Sequence, residues 1–371
     1  MPRRFRKTWK QSFFGDFVYA QAVPADHFLA QMDRTVAWDQ FTPVLLEAYK
    51  GQGKVGAVPY EPVMILKMLL LSYLYDISER QTEEFCNYYL PAKAFVGLGI
   101  TDRAPDHSTL TVFKVRLLNH KAGEIYGTLF DAIIKQAQAA GVRFGAIQVV
   151  DAVHTVANVN TEKDRRRIED GKPSADPDAS VVNKGTRAIT KADGTIQDEQ
   201  VKYLGYKTHV SMDAETGLVT SIIPTRGDSA DNKQMPGLVD HDATLGVPAE
   251  TYTADRAYDD GDLHELLWTR HKHSALRLKA QRTTKKDDSK ALWFKLLASP
   301  FYQAGLAVRY RIERKFGEAK AWHGFDRCRY RGVARYRVQS YLTFMVLNLK
   351  RVILLVTGTR FRPLAKHLVD G

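Results

Sequence analysis

The spacing of the apolar residues changes at Gly141, and that change divides the chain into two unlike parts. Before Gly141 the pattern is helical. Pro62 stands where a helix begins, and PVMILKMLLLSYLY (Pro62–Tyr75) is apolar nearly all round, which predicts a core helix. SERQ at Ser78–Gln81 has capping-box spacing and starts a second helix, which Pro91 ends. With Asp106 or Ser108 as N-cap, one or two amphipathic helices run on to Gly141. Residues 1–125 are therefore read as an all-α domain. Short helices with a basic third member, carrying Lys114 and Arg116, suit a helix-turn-helix DNA reader; an ordinary bundle is the plainer alternative.

After Gly141 the runs are short and β-branched. FGAIQVVDAVH reads as a buried strand, GYKTHVSMD alternates, and LVTSIIPT returns after the turn DAETG. ETYTADRAY and SALRLKA are two more strand candidates around the helix DGDLHELLWTRHKH, and two helices close the chain. The order β-β-β-α-β-α-β-α predicts a mixed α/β core rather than a doubly wound parallel fold. Residues 140–356 are assigned to this domain and 357–371 to a tail. Within it, residues 160–202 are charged, contain Pro173 and Pro177 and lack a period. They read as an insertion between the first two strands, mobile or ordered only by a partner.

Composition narrows the partner. The formal net charge is +12 and the sequence pI about 9.4, which favours a polyanion, most simply nucleic acid. Cys86 and Cys328, the two cysteines, have no metal-ligand spacing and fit a reducing, cytoplasmic setting. The basic opening MPRRFRKTWKQSFFG is followed by no apolar core of signal-peptide length. The two most apolar runs carry Lys67 or Lys350–Arg351, so buried helices rather than membrane spans are expected.

Three acids stand out against this background. Asp151 ends the first strand and Asp255 the fourth; a carboxylate at the end of a buried strand is costly unless paired or bound to a cation. Strands running side by side would bring the two acids together, and a divalent metal would relieve their repulsion. Glu313, on a helix beside the sheet, would complete a three-carboxylate site suited to Mg²⁺ or Mn²⁺. At about 100° per residue, Arg309, Glu313 and Lys320 share one helix face, whereas Glu318 points elsewhere. An i,i+4 ion pair explains Arg309 and Glu313; a phosphate backbone along the helix also explains Lys320. RCRYRGVARYR, with Arg329, Arg331 and Arg335, suits backbone binding, a solvated basic face being the alternative. His154 is read as finishing its strand and Trp322 as core.

These residues resemble a known family. Arg309-x3-Glu313-x6-Lys320 followed by RYRG is similar to the Tyr-Arg-Glu-Lys signature of bacterial insertion-sequence DDE transposases, the insertion-sequence five group in particular. TADRAYDD resembles the second-Asp motif and VVDAVH the first; DPDAS, YLGYKTHVSMDAETGLVTS and DHSTLTVFKVRL also look like segments of that group. The signature tyrosine would fall at Leu306, a departure that touches the tyrosine and not the acids. The resemblance implies a ribonuclease-H-like catalytic core after an all-α DNA-binding domain. It implies Asp151, Asp255 and Glu313 as ligands of two Mg²⁺ or Mn²⁺ ions, with Arg309 and Lys320 on DNA phosphate. It also implies terminal inverted repeats and target DNA as double-stranded partners, a homodimer on DNA, no membrane, and work in the bacterial cytoplasm at the nucleoid. A ribonuclease-H-like nuclease or resolvase, and a transposase-derived DNA-binding protein without cutting, are the competing readings.

Overall fold

The computed structural model describes Phe5 and residues 13–49, 58–190, 194–284 and 290–363. The basic opening up to residue 12, Phe5 apart, and residues 364–371 of the tail lie outside that set. The chain groups into two compact units. One comprises Met1–Phe144, Trp322–Gly324 and Tyr341–Gly371; the other comprises Gly145–Ala321 and Phe325–Ser340.

The first unit is helical. Its elements are α1 (Phe13–Ala22), α2 (Phe28–Thr35), α3 (Phe41–Glu47), α4 (Pro62–Leu74), α5 (Glu79–Tyr88), α6 (Leu90–Val96), α7 (His107–Asn119) and α8 (Glu124–Ala139). Every residue of α4 is buried, as its all-round apolarity predicts. Its one charge, Lys67, is offset by Asp33 and by the Phe95 carbonyl at 3.0 Å. The Ser78 capping box is formed, and Asp106 caps α7 through the Ser108 amide. Pro91 does more than end α5: it lies in the first turn of α6, where its missing N–H costs nothing. The sequence puts the end of the helical domain at residue 125, whereas α8 and the chain from Tyr341 onward group with this unit.

The second unit is built on a six-stranded sheet. Along the chain come β1 (Ile147–Val156), α9 (Thr161–Glu169), β2 (Ser180–Thr190), β3 (Ile196–Asp213), β4 (Val219–Arg226), α10 (Met235–Thr244), β5 (Thr251–Ala254), α11 (Gly261–Thr269) and β6 (His273–Leu276). After β6 follow α12 (Gln281–Thr284), α13 (Lys290–Leu297), α14 (Pro300–Val308), α15 (Tyr310–His323) and α16 (Val333–Thr357). The order is β2-β3-β1-β5-β6, with β4 also on β3. β1, β3 and β4 are antiparallel neighbours, while β5 and β6 run parallel to β1.

Both faces of β3 are covered. On one, Thr208 Oγ1 meets the Tyr336 hydroxyl and Ser340 Oγ at the start of α16; on the other, Ser211 Oγ donates to Asp242 of α10 at 2.6 Å. Gly205 lies so close to the Thr155 backbone that a Cβ there would fall 2.2 Å from its carbonyl oxygen, so the β1–β3 pairing needs glycine at that point. α16 is long and apolar enough to cross a membrane by length and composition, yet 61% of its most apolar window is buried within the protein.

Residues 160–202 are not an irregular insertion. They form α9, β2 and the first part of β3, with β2 and β3 paired from Ser180↔Gly205 to Thr190↔Ile196. The backbone of a long strand organises this segment. Val181 and Ile196 in it are 60% and 75% exposed, apolar residues that no burial marks as strand positions.

Candidate active site

Asp151 does not end its strand. β1 continues five residues past it to Val156 because β3 pairs with it over Gln148–Val156. On its other edge β1 pairs with β5 only from Ile147 to Val149. Asp151 therefore stands just beyond the last β1–β5 pair, where that edge of β1 opens. Val149 faces Thr253, the last β1–β5 pair, and Asp255, two residues further on, acts through its charge on Asp151. Asp255 follows the fifth strand rather than the fourth, since β2 adds one to the expected count.

Glu313 arrives from α15, and a single guanidinium ties it to the sheet. Arg309 donates to Glu313 Oε1 at 2.7 Å and stands 3.9 Å from Asp151 Oδ2. The sequence expects Arg309 on DNA phosphate; in the structure its charge is spent on two of the three acids. Asp151 Oδ1 accepts from the Ala152 amide, and Asp255 Oδ1 caps the following turn through the Ala257 amide. Each sheet acid thus uses one oxygen locally. The recessed position of Asp151 pushes its carboxyl up to about 7, with the Asp255 charge adding and Arg309 opposing.

The three carboxylates are not gathered within 4.8 Å of one another. Among the described residues, the acid and histidine group that is so gathered is Glu83, Asp106 and His107, in the helical unit. That group is an N-terminal cap: Glu83 Oε2 accepts from the His107 amide at 2.9 Å, and Asp106 caps Ser108.

Hard oxygen donors, a carboxylate whose burial disfavours its charge, and one unsatisfied hydroxyl fit a divalent cation. The hydroxyl is that of Tyr258, buried to 1% exposure without a hydrogen bond, in the turn that follows Asp255. Sequence reasoning passed over Asp231, whose charge acts on both Asp151 and Tyr258. It lies in a loop, GDSADNKQ, where no period marks it.

The other basic residues divide. Lys320 sits two turns beyond Glu313 on α15, half-buried, while Glu318 pairs with Lys315 at 3.2 Å. Arg331 Nε donates to the Asn158 carbonyl, and Asn158 Nδ2 to the Arg329 carbonyl. Asp176 and Asp178, of DPDAS, accept from the Gly332 and Val333 amides. The arginine-rich loop is thereby fixed to the end of β1 and the start of the inserted segment, with Arg331 and Arg335 exposed.

Lys114 is a correction. Expected on DNA, it is instead 7% exposed and ion-paired with Glu79 of α5. Arg116 is half-buried, with its guanidinium 4.2 Å from the Tyr49 ring centre. Trp322, expected in the core, is 54% exposed. Leu306, at the signature-tyrosine position, packs on the cluster of Ala275, Trp293 and Tyr302; Tyr302 itself accepts from the Leu278 amide.

Two family models match this chain: a transposase domain (DUF772) over residues 17–116, and a transposase DDE domain over residues 169–349. The second spans Asp255 and Glu313 and begins after Asp151. Among solved structures, a piggyBac transposase synaptic complex with hairpin DNA aligns at 9% identity and a TM-score of 0.42, covering 100% of this chain and 81% of that one. A Mos1 transposase paired-end complex with left transposon end aligns at 10% identity and 0.20, covering 73% and 81%. At these scores neither likeness fixes the fold.

Proposed function

We propose, for a chain that carries a transposase domain followed by a transposase DDE domain, that it is an insertion-sequence transposase which cuts and joins DNA at terminal inverted repeats. The observation that supports the reading is Arg309, which pairs with Glu313 and stands 3.9 Å from Asp151, while the parallel β1–β5 register leads toward Asp255. The strand order β4-β3-β1-β5-β6, three antiparallel strands then two parallel to β1, supports a ribonuclease-H-like core. The insertion-sequence five group is favoured by the Arg309, Glu313 and Lys320 spacing.

Asp151, Asp255 and Glu313 would hold Mg²⁺ or Mn²⁺, two ions in number. Such ions would supply Lewis-acid activation of a water or a DNA 3′-hydroxyl and charge neutralisation at the leaving oxygen. The protein's own groups do the rest. Arg309 keeps the acids from repelling one another and passes to phosphate when cations replace it. Lys320, Arg329, Arg331 and Arg335 hold the backbone on either side of the scissile bond. Joining two ends calls for a second copy, so the working unit is a homodimer on DNA, acting at the nucleoid in the cytoplasm.

The test is cleavage of a duplex bearing the inverted repeats that flank the coding region, with Mg²⁺, by wild type and by Asp151→Asn, Asp255→Asn and Glu313→Gln. The reading expects cutting at the repeat ends by wild type alone, with duplex binding retained in all four. Cutting by any of the three variants at the wild-type rate contradicts it.

A further inference from the structure

This inference rests on the active-site reading and extends it to a fourth acid. Asp231 lies in the loop between β4 and α10. Its Oδ1 accepts from Lys207 Nζ at 3.0 Å, and Lys207 also donates to the Ser229 carbonyl at 3.0 Å. His209 stands 3.5 Å from the same oxygen. Burial, with the Lys207 charge, holds the His209 ring down at about 3, so it lies there as a neutral neighbour. These contacts all fall on Oδ1; Oδ2 has no hydrogen-bond or ion-pair partner among the described residues. The next residue, Asn232, donates to Asp260 at 2.7 Å, which fastens the loop to the segment that carries Asp255 and Tyr258.

Tyr258 supplies the second, independent observation. Its hydroxyl is buried and makes no hydrogen bond. The charges of Asp151, Asp231 and Asp255 all act on it, and with burial they raise the phenol well above its ordinary range. A buried donor in the field of three carboxylates and bonded to none leaves its desolvation uncompensated. A cation held by those carboxylates carries water, and a water oxygen is the acceptor this hydroxyl lacks.

We propose that Asp231 is a fourth carboxylate of the divalent-cation site, facing the cations through Oδ2 while Lys207 restrains Oδ1, with the Tyr258 hydroxyl donating to cation-bound water. Asp231 thereby sets how strongly the site holds its ions, and Lys207 competes with them for it.

The experiment is calorimetric titration of the full chain with Mn²⁺, with melting curves to verify folding. Asp231→Asn weakens Mn²⁺ binding by about tenfold or more, and Tyr258→Phe by up to about tenfold, as the loss of supporting groups around a metal does. Lys207→Gln tightens binding, because it removes the competing charge and leaves the acid. A purely structural Lys207–Asp231 pair predicts the opposite: Lys207→Gln and Asp231→Asn weaken binding alike, and that result overturns the proposal. It is equally overturned if Asp231→Asn binds as wild type while Asp255→Asn loses the ion. If Asp231→Asn fails to fold, Lys207→Gln decides by the sign of its effect. A wild type that takes up no Mn²⁺ at millimolar concentration, or an Asp255→Asn that binds unchanged, refutes the active-site reading itself and this proposal with it.

Discussion

Two basic residues, Lys114 and Arg309, are both expected on DNA from the sequence, and the fold uses them differently. In the helical unit Lys114 of α7 pairs with Glu79 of α5, its side chain 9% exposed. In the sheet unit Arg309 pairs with Glu313, which is 55% exposed, and also reaches Asp151. The first pair closes a helix contact around a buried cation. The second is more open to solvent and shares its cation between two acids. A basic residue's role thus follows from what already neutralises it and how deeply, not from its place in a basic stretch.

The comparison is sharpest where the acids are changed. Glu313→Gln keeps the shape of α15 and removes the charge, so strand cleavage falls by about a thousandfold or more, matching the several kcal/mol a metal site contributes. Duplex affinity stays near wild type. Glu318→Gln, which only releases Lys315, leaves cleavage within about twofold, since such a surface pair is worth under about 1 kcal/mol. Cleavage rates and gel-shift binding for the two variants check both. The equivalent change in the other pair acts on folding: Lys114→Met removes the cation beside the Glu79 carboxylate and lowers stability by about 3 kcal/mol in urea unfolding. If Lys114→Met instead spared stability and weakened duplex binding, the two pairs would not differ as described.

A smaller effect separates the sites by pH. The Asp151 carboxyl lies near 7 when folded and near about 3.9 when unfolded. The folded chain therefore keeps a proton that the unfolded chain has released. Stability without metal falls as pH rises from about 4 to 7, by about 2 kcal/mol after allowance for partial exposure. Asp151→Asn removes that decline, and Mg²⁺ recovers stability above pH 7 by binding the folded state. Melting curves with EDTA and with Mg²⁺ across that range show it. The smallest effect is in the arginine-rich loop. Replacing Arg329, Arg331 and Arg335 with Ala lowers the slope of log affinity against log salt by about 0.9 for each lost phosphate contact. The ratio between repeat-bearing and scrambled duplexes is unchanged, because phosphate carries no sequence.

Where burial imposes a period, the sequence was readable. α4, the Ser78 capping box, β5, α11, β6 and the closing helices fall where apolar spacing and caps put them. β2 was not readable, because Val181, Ala188 and Thr190 are exposed and backbone pairing with β3 makes the segment a strand. The position of Asp151 was misread for a related reason. VVDAVH shows where the apolar run is interrupted, not that β3 carries the strand onward to Val156. Lys114 and Asp231 needed the tertiary structure, since each takes its setting from a residue far from it in sequence, Glu79 for one and Lys207 for the other.

The central claim is that Asp151, Asp255 and Glu313 hold divalent cations together. It is tested most directly by anomalous diffraction from crystals of the full chain on a repeat-bearing duplex, grown with Mn²⁺. The account predicts manganese peaks bound by all three carboxylates, in a pair about 3.5–4 Å apart, with Arg309 moved from Glu313 onto phosphate. Manganese only at Glu83, Asp106 and His107, with the three carboxylates still about 10 Å or more apart on bound DNA and too far to share an ion pair, would contradict it.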